Sequence, residues 1–116
     1  MVSALFSIIA NHNGKYYVSF VATDGDRDPN PKIAILGPFS QAEKAQREGE
    51  KWTKLGNEAI ENYEPVSLPD LKTVPTDVRT YITEGIRKAI REQGVQALMK
   101  NATFGQIPHR AAAGDT

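Results

Sequence analysis

The sequence predicts an α+β domain: three antiparallel strands in a meander, then two helices (β-β-β-α-α) with a short third helix after them. Three observations carry this. Two runs rich in β-branched and aromatic residues flank an Asn-Gly pair, and a third, shorter apolar run stops at Gly-Pro. Beyond it, two long stretches change their hydrophobic spacing from two residues to three or four, the period of a helix with one buried stripe.

The first strand is Val2–Ala10 and the second Lys15–Thr23, joined through Asn11-His12-Asn13-Gly14. Asparagine and glycine tolerate positive φ, and a primed turn built from them matches the twist of paired strands. Val2, Ala4, Phe6, Ile8 and Ala10 share one face of the first strand. The comparable apolar set on the second is Tyr16, Val18, Phe20 and Ala22, and the two sets together make a core face. The other face, with Leu5, Ile9, Tyr17 and Val21 among serines and Lys15, is semi-apolar. A sheet solvated on that side has no need of it.

Asp24–Pro31 is a loop by its Asp, Asn, Gly and Pro content. Lys32–Leu36 is the third strand, ended by Gly37-Pro38. Ser40 to Glu43 has the capping-box pattern, in which the serine accepts from a first-turn amide and the glutamate reaches back. The helix it opens runs to about Asn62, with Ala42, Ala45, Gly49, Trp52, Gly56, Ala59 and Tyr63 as its inward stripe. Glycine inside a helix costs about 1 kcal/mol relative to alanine, so two on one stripe imply close approach to a neighbour.

Glu64–Pro75 is a connector anchored by Val66, Leu68 and Leu71. Thr76 or Asp77 caps a second helix, whose apolar set is Val78, Tyr81, Ile82, Gly85, Ile86, Ala89 and Ile90. It lies beside the first helix in this reading. Gly94 ends it and leaves a short helix around Val95–Asn101. Residues 1–104 form a single domain, and residues 105–116 a flexible tail.

The 116 residues match one ordinary domain, and 40% hydrophobic with 24% charged excludes a disordered chain. Fourteen basic residues balance fourteen acidic ones, which excludes a polycation that coats nucleic acid by bulk charge. Without cysteine there is no disulfide framework, thiol nucleophile or thiolate metal site. The apolar opening is ten residues long and no later run reaches membrane length. The expectation is a soluble, cytoplasmic protein with no membrane partner.

Chemistry-bearing motifs are sparse. Asp24, Asp26, Asp28 and Asn30 alternate like the start of a calcium loop, but the template's glycine and glutamate positions hold Pro29 and Ile35. This is a solvated turn. His12 falls in a hairpin turn and His109 in the tail, with no ligands spaced to join either. No phosphate loop or nucleophile elbow occurs. The reading is of a protein with no catalytic, cofactor-binding or metal residues, and no cofactor.

Charge is uneven along the chain. Residues 40–64 carry four basic and six acidic side chains, and residues 76–100 carry five basic and three acidic. In the second helix Arg87 and Arg91 are one turn apart and Arg79 lies two turns before Arg87. Tyr17, flanked by Lys15, is the exposed aromatic candidate of the sheet.

The order strand, hairpin, strand and then Leu36, Gly37 and Phe39 leading into a helix with Glu43, Ala45 and Trp52 resembles the AP2 DNA-binding domain and the arm-type DNA-binding modules of phage integrases. The likeness covers Lys15–Leu55. It implies a β-β-β-α unit that reads DNA through its sheet, where this chain offers Lys15 and Lys32 in place of the family's arginines.

Three functional expectations follow. The first is a small non-catalytic interaction or regulatory protein, a homodimer or partner-binding module joined through Leu5, Ile9, Tyr17 and Val21. The second is an AP2-like nucleic-acid-binding accessory protein using Lys15, Tyr17, Lys32, Arg79, Arg87 and Arg91. The third, resting on compact size alone, is a small phage-type inhibitor of a host protein.

Overall fold

A computed structural model describes residues 4–71 and 73–101. The elements are β1 (Ala4–His12), β2 (Lys15–Thr23), β3 (Lys32–Phe39), α1 (Ala42–Glu61), α2 (Thr76–Gln93) and α3 (Val95–Asn101). The three strands form one antiparallel sheet in the order β1-β2-β3, followed by the helices as predicted. The tail from residue 105 lies outside the described residues.

Asn13 and Gly14 hold φ of 54° and 78°, the two left-handed positions of a primed hairpin turn. His12 therefore pairs with Lys15, and the register continues unbroken to Ala4 opposite Thr23. This register brings even-numbered residues of β1 onto the same face as odd-numbered residues of β2. Phe6, Ile8 and Ala10 thus join Tyr17 and Val21, while Leu5 joins Val18, Phe20 and Ala22. The expected core face, with Phe6 and Ile8 beside Val18 and Phe20, is corrected accordingly.

Both faces are core. Leu5, Val18, Phe20, Ala22 and Ala34 pack with Leu36, Phe39, Trp52 and Ile60 on the α1 side. Phe6, Ile8, Tyr17, Val21 and Ile35 pack with Val78, Ile82, Ile86 and Ile90 of α2 and Val95 and Leu98 of α3. The second helix therefore covers the opposite face rather than lying beside the first, and the semi-apolar face is semi-apolar because α2 buries it. Each helix gives one apolar stripe to one side of a sheet with none left for water.

α1 settles onto the sheet at its two buried glycines. A side chain on Gly49 would meet Ser7 and Val18, and one on Gly56 would run into Leu5. The expected close approach is to the sheet. The caps differ from expectation: Gln41 and Pro75 precede α1 and α2, and neither helix has a side-chain cap hydrogen bond. Tyr63 is not part of the inward stripe, because α1 ends at Glu61 and the chain turns at Tyr63 with φ of 57°.

Two buried polar side chains, Ser19 and Thr23, interrupt the apolar α2-facing layer. Ser19 is fully buried opposite Ile8 and Ile35, and its hydroxyl has no hydrogen-bond partner among the described residues. A desolvated, unpaired hydroxyl costs about 1–3 kcal/mol, more than the few contacts its oxygen makes. Ser19→Ala should raise stability by about 1 kcal/mol, read as a higher urea midpoint at unchanged slope. A lower midpoint would mean the hydroxyl is satisfied.

Candidate functional site

The residues expected to form a partner-binding face do not share one. Leu5 and Ile9 point toward α1, Tyr17 and Val21 toward α2, and all four are buried. An odd-to-even register across the hairpin splits the set, and helices on both sides remove it from solvent. As an exposed sheet-face interface this set is corrected.

The expected nucleic-acid set is also dispersed. Lys15 is exposed at the hairpin end of β2, whereas Lys32 starts β3 opposite Ala22, about 23 Å away at the usual rise along a strand. They also belong to opposite faces. Tyr17, between them, is buried in the α2-side core and cannot stack on a base.

Arg79 has a structural partner. Its guanidinium donates to Asp70 Oδ1 at 2.9 Å and to the Leu71 carbonyl, and the same Asp70 oxygen accepts from the Ile35 amide at 3.0 Å. With the Leu71 amide donating to the Ile35 carbonyl at 3.1 Å, this cluster fastens the connector and α2 to β3. A guanidinium that already makes a charge-assisted pair and a carbonyl hydrogen bond, on a side chain 29% exposed, is poorly placed to leave for a phosphate. Of the six residues, only Arg87 and Arg91 lie on one exposed surface with Lys88, and Glu84 and Glu92 are exposed on the same helix.

The acidic loop is built from within. Asp28 accepts from the Asn30 amide at 2.9 Å, the bond of an Asx turn, and from the Asp24 amide at 2.7 Å, which closes the loop behind it. Asp26 accepts from the amides of Val95 and Gln96, through its carbonyl and carboxylate, each at 2.8 Å. Arg27 donates to the Arg91 carbonyl at 3.3 Å. The loop thus holds the α2–α3 junction. Among the described residues, no cluster of His, Cys, Asp or Glu could hold a metal ion, and no helix is long and apolar enough to cross a membrane.

What remains distinctive is the contrast between the two sheet edges. The β3 edge is covered at Ile35, whose outward amide and carbonyl are taken by Asp70 and Leu71, and the strand bulges at Gly37-Pro38, where pairing shifts between Tyr16 and Val18. The β1 edge runs straight, with no charged residue and no proline from Ala4 to His12. Because His12 and Lys15 flank a two-residue turn, they form a hydrogen-bonded pair. Alternation then turns the amide and carbonyl of Leu5, Ser7, Ile9 and Asn11 away from β2. Asn57 of α1 reaches the Leu5 carbonyl at 3.5 Å. Those of Ser7 and Ile9 meet no backbone partner among the described residues.

Ser7 and Asn11 are absent from the residues expected at the interface. The signal for them was a first strand without a single charge, which marks an edge left unguarded. Compared with known proteins, the chain matches no family model, no curated protein and no solved structure. The AP2-like order of elements therefore stands on the residues alone.

Proposed function

We propose that the protein is a non-catalytic interaction module that associates with a second copy of itself through β1. The observation that supports this is the asymmetry of the edges. A sheet that guards one edge with a bulge, a proline and a covering connector, and leaves the other straight and uncharged, has one edge suited to pairing. Antiparallel pairing of β1 with β1 across a two-fold axis is self-complementary, and joins two three-stranded sheets into one of six.

The test is amide hydrogen exchange measured at several protein concentrations, alongside sedimentation. In the paired state the outward amides of Ser7 and Ile9 gain protection as concentration rises, while the already paired amides of Phe6 and Ile8 do not change. Sedimentation should show a dimer over the same range. A monomer at every concentration, with Ser7 and Ile9 exchanging freely, refutes the proposal. Asn11→Lys, at the exposed outer end of the strand, should weaken the dimer and leave the monomer folded.

A further inference from the structure

The C-terminal end of α1 carries a second surface, which goes beyond the pairing of β1. Asn62 closes the helix, the Tyr63 amide donates to the Ile60 carbonyl at 3.1 Å, and the Glu64 amide donates to the Ala59 carbonyl at 2.8 Å. These are the two bonds of a Schellman motif, whose left-handed residue is ordinarily glycine because a Cβ is penalised there. Here that residue is Tyr63, with φ of 57°. Its side chain is 90% exposed, so no packing in the monomer compensates for the penalty.

Tyr63 stands at the rim of a groove of about 670 Å³ whose apolar lining includes Ile60, Pro65, Val66 and Leu68. The rim is mainly acidic. Glu61 and Glu64 are exposed on it, and Glu58 lies one turn earlier on α1. The last turn of α1 has no basic residue to offset the negative end of the helix dipole. Among the described residues Lys32 is the one cation of the lining, which also includes Asp24. A strained, exposed aromatic over an apolar floor, ringed by carboxylates, matches one ligand chemistry: an apolar side chain with cationic neighbours.

We infer that this groove binds a segment of a partner protein in which an aliphatic anchor is flanked by arginine. The anchor fills the groove against Ile60, Val66 and Leu68. An arginine stacks on the Tyr63 ring as a cation on its π face, and the other pairs with Glu61 or Glu64. Strain retained at a contact residue is the arrangement expected where binding, rather than stability, sets the side chain.

The experiment is a titration of the isotope-labelled full chain, followed by amide chemical shifts. The probes are an acetylated Arg-Leu-Arg amide and its Glu-Leu-Glu counterpart. The cationic peptide should shift the amides of residues 60–68, and the acidic one should not. Tyr63→Gly should weaken the cationic peptide about two- to fivefold, the loss of one solvent-exposed cation–π contact. The same variant should melt higher by about 4–8 °C, since glycine relieves the left-handed position. Glu61→Gln with Glu64→Gln should weaken binding and steepen no salt dependence, whereas the parent loses affinity in salt. Equal shifts with both peptides, no shift with either, or a Tyr63→Gly protein that binds as the parent does, each overturns the inference.

Discussion

Replacing Gly37 with alanine lowers the stability of the fold by about 3 kcal/mol, the sum of a backbone penalty and an overpacking penalty. Gly37 has φ of 148°, where a side chain is strained whatever room it has. There is no room. A Cβ would lie 2.9 Å from the Tyr16 carbonyl oxygen, 2.9 Å from Tyr17 Cδ2 and 3.3 Å from Tyr17 Cα. Two of those atoms are backbone of the central strand, which is paired on both sides and cannot yield. Gly85→Ala is the control: nothing lies within 4 Å of its Cβ position, and it sits inside α2. That change should stabilise the protein by up to about 1 kcal/mol through helix propensity alone. Urea unfolding of the two variants should bracket the parent. A Gly37→Ala midpoint within error of the parent would mean that β3 does not approach β2 this closely.

Ile86→Asp should abolish the cooperative folding transition. Ile86 is 1% exposed and lies in the cluster formed by α2, α3 and the sheet. Losing its contacts costs about 2–5 kcal/mol, and desolvating a carboxyl with no partner costs several more. That sum rivals the whole stability of a typical domain, about 5–15 kcal/mol. Thr80→Asp, at an exposed position of the same helix, should stay within about 0.5 kcal/mol of the parent. The comparison tests where α2 sits. If it lay beside α1 with this stripe half in water, the two substitutions would differ little.

That placement marks where the sequence stops being informative. The turn, the bounds of β2, the helix periods and the break at Gly94 are local features, and each is visible in its own residues. Which strand faces meet is not. The two-residue turn at Asn13 and Gly14 pairs His12 with Lys15, so an even position always opposes an odd one. Alternation normally exposes such a register by leaving one face polar. Here helices bury both faces, Leu5 and Ile9 are as apolar as Phe6 and Ile8, and the pattern loses its contrast. Arg79 fails for a related reason: as a sequence feature it is one more helix cation, and only the fold brings Asp70 to it. Tyr63 continues a spacing of four from Ala59, so periodicity places it inward. The helix has already ended there, and a left-handed turn carries the ring into solvent.

The contact between Asp26 and the amide of Gln96 joins residues 70 positions apart. Among the elements, the hairpin and the β2–β3 pairing close short loops, whereas α2 and α3 reach the sheet only after most of the chain has been made. Loop closure costs entropy before long-range contacts reward it, so the α2–α3 layer is the late-forming part of this topology. The β2–β3 loop is the clasp that ends that search, one aspartate receiving the start of α3. Release of that clasp together with the Arg79–Asp70 pair would free the α2–α3 layer from the sheet and expose Tyr17, Val21 and Ile35, while α1 still covers the other face.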